Sequence, residues 1–331
     1  EGNAQVQAFE QVGSTMYVGG NFTGVARVGS TKAQTSGLAG FDAASGEWNG
    51  QSFAFNNQVK DLVELPGARL LAVGDFTRVN GEPHVGTVVI NPSTGQIDPS
   101  WDLQITNALR GGAVSVRALT YYDGNVYMGG VFTHLSGGGS SRVYARNAGR
   151  VSLSARPDRS WNPEISGAVQ AVGVSEANGA FYAGGHFTTA HGNQRAWYAA
   201  KFSTQPGAAV DTDFDFVPSS ATAGKYQQTI ATAGNRVYIG GSEHNLFGYD
   251  TATNQRVSGA MTFNNGGDLQ ATTVSAKGVI YGSCHCSDAT YQDMYVWTMN
   301  GSWSRVDEIK WVGAWDAATG ESLKWTPFEL S

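Results

Sequence analysis

The sequence predicts an all-β protein, a six-bladed β-propeller of four-stranded antiparallel blades. Three observations lead there. A glycine-anchored motif recurs six times, no segment sustains a 3.6-residue apolar period, and 44 of 331 residues are glycine while only 15% are charged. Ordinary chains carry about 7% glycine and about 25% charged residues. High glycine, 11% aromatic content and low charge exclude a coiled coil and a disordered tail.

The anchor motif is read as the second strand of each blade. Its copies are Met16-Tyr-Val-Gly-Gly-Asn-Phe-Thr23, Leu70-Leu-Ala-Val-Gly-Asp-Phe-Thr77, Val126-Tyr-Met-Gly-Gly-Val-Phe-Thr133, Ala180-Phe-Tyr-Ala-Gly-Gly-His-Phe-Thr188, Val237-Tyr-Ile-Gly-Gly-Ser242 and Val279-Ile-Tyr-Gly-Ser-Cys284. Successive anchors are 54, 56, 55, 56 and about 42 residues apart. That period is too long for a β-helix coil, which repeats every 20 to 30 residues or so. Ahead of each anchor lies a short first strand, beginning at Val6, Val59, Val116, Val169, Gln227 and Leu269. A third strand ends in a tight turn at Asp42–Gly46, Asn91–Gly95, Asp250–Asn254 and Asp316–Gly320. Asp or Asn opens such a turn by bonding its own backbone, and Gly or Asn closes it at positive φ. A fourth strand is expected to carry Phe53, Trp101, Trp161, Phe214, Phe263 and Trp325. The blades then span approximately 5–56, 57–114, 115–167, 168–225, 226–266 and 267–329. Four strands repeated six times make one ring, counted as one domain, 1–331. The ring is expected to close by packing of blades 1 and 6, or through a strand outside this sequence.

The unit Val-x-Ala-Leu … Tyr-Val-Gly-Gly-x-Phe-Thr … Asp-x-Ser-Trp/Phe, clearest between residues 6 and 216, resembles the delta-60 repeat family of bacterial β-propellers. Blades 5 and 6 depart from it by lacking the Phe-Thr pair. The resemblance implies the propeller fold and a secreted or cell-surface setting. It brings no catalytic residue, because propellers host many functions on one scaffold.

Composition narrows the function. A net charge of −6 with no basic stripe argues against nucleic acid as a partner. No apolar run of 18 residues exists, so membrane insertion by a helix is not expected. The chain begins at Glu1 without a signal peptide, and is expected to be part of a larger polypeptide or assembly.

Candidate site residues come from the loops after the second strands. All six histidines fall there: His84, His134, His186, His191, His244 and His285. The longest such loop, 284–310, adds Tyr291 and Trp303, with Met294–Thr298 read as a strand and Trp303 as a turn tip. An exposed indole beside polar amides suits a sugar ring, whose C–H face stacks while its hydroxyls hydrogen-bond. His134, His186, His244, His285, Tyr291 and Trp303 are therefore the candidate ligand-binding residues. Cys284 and Cys286 flank His285 as a Zn or Cu ligand set, a short-range disulfide, or two buried thiols. Each first strand has a polar second residue: Gln7, Lys60, Arg117, Gln170, Gln228 and Gln270. These six are expected to tilt into a central channel. Asp211, Asp213 and Asp215 mimic part of a calcium loop but match the fourth-strand pattern of other blades.

No catalytic residue is assigned. Neither Gly-x-Ser-x-Gly nor His-Glu-x-x-His occurs. The expected function is a non-catalytic extracellular binding or adhesion module on a secreted, cell-surface or phage-tail protein, recognising a glycan or a surface protein. The alternatives are a secreted glycan hydrolase or lyase, using carboxylates such as Asp75, Glu82, Glu243 and Asp288, and a metal- or Cys-dependent redox protein.

Overall fold

Alternating Val, Tyr, Phe and Ala side chains between Gly- and Asn-bearing turns give short strands with both faces apolar. The computed structural model describes residues 4–27, 31–217, 225–263, 267–286, 289–295 and 302–327. Among them the chain is all-β and its sheets are antiparallel. It forms two compact units, Glu1–Asn162 and Pro163–Ser331.

In the first unit, sheet 1 is β1 (Gln5–Val12), β2 (Thr15–Asn21) and β3 (Leu38–Asp42). Sheet 2 begins with β4 (Val59–Leu65) and β5 (Arg69–Gly74). A small hairpin of β6 (Arg78–Val79) and β7 (Glu82–Pro83) then precedes β8 (Thr87–Ile90). After β9 (Gln104–Thr106), sheet 3 has β10 (Ser115–Tyr122) and β11 (Asn125–Val131). The hairpin β12 (His134–Gly137) and β13 (Ser140–Tyr144) follows, and β14 (Ala148–Ser152) completes the sheet.

In the second unit, sheet 4 is β15 (Ala168–Ser175) and β16 (Ala180–His186), then the hairpin β17 (Thr189–Ala190) and β18 (Gln194–Arg195), then β19 (Ala199–Ser203). Sheet 5 holds β20 (Gln227–Ala233), β21 (Arg236–Gly241), β22 (Asn245–Asp250) and β23 (Arg256–Phe263). Sheet 6 pairs β24 (Leu269–Val274), β25 (Val279–Cys284) and, after an inserted hairpin of β26 (Ala289–Gln292) and β27 (Arg305–Glu308), β28 (Val312–Asp316).

The expected fourth strand corrects to a full strand in sheet 5 alone. In the other five sheets it contracts to one antiparallel bridge: Phe41–Trp48, Ile90–Ile97, Val151–Pro157, Phe202–Val210 and Trp315–Ser322. A turn inside the segment is the reason in sheets 2 to 4. Asp98 Oδ1 accepts the Ser100 N–H (2.9 Å), Asp158 Oδ1 the Ser160 N–H (2.7 Å) and Asp211 Oδ1 the Asp213 N–H (3.1 Å). Each bond folds the chain back before a second ladder pair forms. Residues 256–263 lack that motif and pair along β22. The aromatic after the turn still reaches the core: Trp101, Trp161 and Phe214 are buried. Asp211 is held by Lys201 (2.9 Å) and Asp215 by Arg195 (3.1 Å), which accounts for that acidic run structurally.

Cores lie between successive sheets. Leu38, Phe53, Leu62 and Phe76 fill the gap between sheets 1 and 2, and Leu71, Trp101, Leu119 and Phe132 the next. In the second unit, Tyr182, Phe216, Ile239 and Phe247 join sheets 4 and 5, while Leu246, Leu269 and Trp315 join sheets 5 and 6. Within each unit the first strands lie side by side: β1 on β4 on β10, and β15 on β20 on β24.

A β-bulge recurs at the same place in all six first strands. The register skips Gln7, Lys60, Arg117, Gln170, Gln228 and Gln270, the six residues assigned above to a channel. A bulge residue has no ladder partner and bends its strand. The bend drives the preceding carbonyl toward the second strand. A Cβ on Gly20, Gly74, Gly130, Gly185 or Gly241 would overlap the carbonyl oxygen of Gln5, Gln58, Ser115, Ala168 or Tyr226. The first glycine of the pair instead faces the next sheet: a Cβ on Gly19 would lie 2.7 Å from Val59 and one on Gly240 2.8 Å from Leu269. In sheet 6 the second-glycine place holds Cys284, which pairs with Leu269.

Asp61 occupies a place where four other first strands have Ala. Its carboxylate accepts the Leu62 N–H (2.9 Å) and, from the neighbouring sheet, the Leu119 N–H (2.9 Å). Burial pushes its carboxyl up to about 7, against those two bonds, with a smaller push from Glu10.

Two outcomes are expected. Gly130→Ala destabilises by roughly 2–3 kcal/mol, the cost of overpacking, read as a lower urea midpoint. A midpoint within error of the parent refutes the bulge argument. For Asp61 the folded carboxyl binds its proton more tightly than the unfolded one, whose value is about 3.9. Its penalty is therefore absent below pH ~4, grows as pH rises from ~4 to ~7 and is constant above. The stability of Asp61→Ala relative to the parent, read from melting curves, should rise across that window by on the order of 4 kcal/mol at most and stay level from pH ~7 to ~8. A pH-independent difference would contradict the assignment.

Candidate functional site

The strand ends beside the glycine pairs bring four side chains of the second unit together. His186 closes β16 and is exposed; its ring stacks on Tyr226, with centroids 4.3 Å apart and planes 30° from parallel. Tyr226 immediately precedes β20, and its hydroxyl donates to Asp268 Oδ2 at 3.4 Å. Asp268 immediately precedes β24, and its Oδ1 lies 3.0 Å from His244 Nε2. His244 sits in the turn between β21 and β22 with φ 58°, a left-handed conformation uncommon for a residue with a Cβ. The turn is pinned because the Thr262 N–H donates to His244 O (2.7 Å) and Thr262 Oγ1–H to Gly267 O (2.6 Å). Gly267 is required beside it: φ is +81° and a Cβ would meet His244 Nδ1 at 2.8 Å.

Burial holds the His244 imidazole below its ordinary value, helped by Lys225 and opposed by the Asp268 carboxylate. Neutral His244 then keeps its proton on Nε2, toward Asp268, leaving Nδ1 an acceptor. Burial also raises the Tyr226 phenol, reinforced by the Asp268 charge, so it stays a donor at neutral pH. The set brings stacked ring faces, a carboxylate and hydrogen-bonding ring edges together. That is the equipment for a ligand with C–H faces and hydroxyl groups.

His285 stands on the same Asp268 loop. Its N–H donates to Asp268 O (3.0 Å), its carbonyl accepts the Gly267 N–H (3.0 Å), and its Nδ1 lies 3.4 Å from Gln270 Nε2. Cys284 and Cys286 are joined as a disulfide, with Cα atoms 5.0 Å apart and both residues buried. Backbone bonds with Trp311, Cys284 N–H to Trp311 O (2.9 Å) and Trp311 N–H to Cys286 O (3.0 Å), fix the other side. Sulfurs bonded to each other are not the thiolates that Zn or Cu takes. Among the described residues, no group of three or more His, Cys, Asp or Glu side chains is placed to hold a metal ion.

Other candidates fall elsewhere. His134 is in the first unit on β12, edge-on to Tyr144 at 5.4 Å, with Nδ1 2.9 Å from Thr133 Oγ1 and 3.0 Å from Arg142 Nη2. His191 is turned onto Ala208 O (2.8 Å). Trp303 corrects from a turn tip to a residue just ahead of β27, 40% exposed and edge-on to Tyr291 on β26 at 5.4 Å. The loop reading of 284–310 corrects likewise: β26 pairs with β23, so the hairpin extends sheet 5. Met294 and Tyr295 are outside any strand, and 296–301, like Asp288, lie outside the described residues.

Of the bulge residues, Lys60 Nζ meets Asp75 and Gln58 Oε1 at 3.2 Å each, and Gln228 Nε2 donates to Leu269 O at 2.8 Å. Gln7 is exposed, while Arg117 and Gln170 are half-buried.

Sequence reasoning missed Tyr226 and Asp268. Both occupy the place just before a first strand, where the other copies have Gln5, Gln58, Ser115 and Ala168. Comparing that column across the repeats would have marked them.

No family model matches the chain, and no curated protein matches it. Among solved structures it is similar to the computationally designed Ika8 protein, at 12% identity over 97% of this chain and 86% of that one, with a TM-score of 0.47. Among the described residues no helix is long and apolar enough to cross a membrane.

Alkylation of the native protein without reductant should add no mass at Cys284 or Cys286, and two adducts should appear after reduction. Labelling before reduction contradicts the bridge.

Proposed function

We propose that the six sheets are blades of a β-propeller and that the chain is a non-catalytic extracellular module that binds a glycan. The propeller reading is supported by six repeats sharing one bulge, by first strands that lie side by side within each unit, and by cores between sheets. The binding reading is carried by one observation: the stack of exposed His186 on half-buried Tyr226, beside the Asp268–His244 pair.

Hydrolysis is less favoured by the carboxylates available. Asp75 is engaged by Lys60 and by the Ser115 hydroxyl (2.5 Å). Glu243 is buried, 3.3 Å from Gln227 Nε2. A general acid needs a second carboxylate facing the same cleft, and among the described residues none lines the space beside Asp75.

A glycan array should show selective binding by the parent protein. Tyr226→Ala should weaken it about tenfold, the worth of one ring stacked on a sugar. Trp303→Ala, whose ring leans on Tyr291, should stay within about twofold. Silence across the array, or unchanged binding by Tyr226→Ala, rejects the reading.

A further inference from the structure

The place that joins His186 to Tyr226 has a counterpart in the first unit with different chemistry. Asp75 follows the second strand of sheet 2 as His186 follows that of sheet 4, and Ser115 opens β10 just as Tyr226 precedes β20. Asp75 Oδ1 accepts the Ser115 hydroxyl at 2.5 Å, and Asp75 Oδ2 meets Lys60 Nζ at 3.2 Å. Beside this pair opens a cavity of about 730 Å³, within the range of small-ligand sites.

Its lining is mixed: Asn57, Asp75, Thr77 and Asn107 are polar, and the half-buried Val85 and Val114 are apolar, with the buried Ile105 beside them. The polar groups are held in place before any ligand arrives. The Thr77 hydroxyl accepts from Asn56 Nδ2 (2.9 Å), and Asn57 Oδ1 accepts the Gln58 N–H (2.8 Å). Asn107 folds its own loop into a fixed rim: Nδ2 donates to Ala113 O (2.7 Å) and Oδ1 accepts the Leu109 N–H (3.0 Å). Each of these groups retains further lone pairs or N–H bonds for a ligand. Fixed polar groups lose little freedom on binding.

We propose that this cavity is a second ligand site and that it takes a neutral sugar ring. Hydroxyl groups of the ring bond Asp75, Asn57 and Asn107, and its C–H face lies on Val114 and Val85. Lys60 already balances the Asp75 charge, so the site asks for hydroxyls rather than for a counter-ion. Arg117 also lines the wall and is held by an interaction of its own. The volume accommodates two or three linked rings. Among the described residues the wall carries no aromatic ring, so affinity is set by hydrogen bonds and is modest.

The test is saturation-transfer NMR on the full chain with cellotriose, maltotriose, xylotriose and chitotriose, with trigalacturonate as the charged comparison. At least one neutral trisaccharide should receive saturation. Val114→Trp, which fills the cavity, and Asp75→Asn should each weaken it about tenfold or more. Melting curves identify a variant that fails to fold, and the other then decides. All of these measurements are made in a Tyr226→Ala background, where the second-unit site is weakened, so that the signal reports this cavity. No transfer to any neutral trisaccharide in that background, transfer to trigalacturonate alone, or persistence in the folded cavity variants overturns the proposal.

Discussion

Five of the six sheets depend on one steric fit: a bulged first strand pressed against a glycine of the second. Skipping one residue in the register turns a carbonyl toward the neighbouring strand, and in those five sheets a glycine leaves room for it, while sheet 6 holds Cys284 there. The same bend separates two roles for the glycine pair. One glycine yields to its own sheet, and the other lets the next sheet approach. The fit repeats every 54 to 56 residues through the fifth anchor, and within each unit Leu, Val and Phe side chains close the gaps between successive sheets.

That regularity also explains where chemistry gathers. The ladder runs only one or two pairs beyond each bulge, which leaves the end of the second strand and the start of the first at the sheet edge. Across two of the gaps such residues of neighbouring sheets meet, and the side chains placed there differ. His186 with Tyr226 makes a ring stack; Asp75 with Ser115 makes a carboxylate–hydroxyl bond. A scaffold fixed by glycine and apolar packing can change its ligand by changing two columns of the repeat.

The inserted hairpins add a second tie. Each follows a second strand and reaches the outer segment of the preceding repeat. Val79 bridges Phe55, β12 pairs with β9, the Ser166 N–H bonds Thr189 O (2.9 Å), and β26 pairs with β23. Backbone hydrogen bonds thereby supplement apolar contact between neighbours. The hairpins also shelter residues that look exposed in sequence, as Tyr291 shelters one edge of Trp303.

The sequence by itself determined the all-β class, the six repeats, the Asx turns and the place of the glycine pairs. Asp42 Oδ1, for example, accepts the Ser45 N–H at 2.8 Å, as the Asp-to-Gly spacing requires. These are local matters, set by period and by the φ each residue tolerates. Only the tertiary structure decided three others. In sheets 2 to 4 the fourth strand stops after one bridge because a turn opened by Asp98, Asp158 or Asp211 competes for the same backbone groups, a contest that composition does not reveal. Cys284 and Cys286 are bonded to one another, where their spacing left three outcomes open. Tyr226 and Asp268 join His186 and His244 because adjacent sheets carry them to one edge from places 40 or more residues apart in part, a proximity that no local pattern encodes.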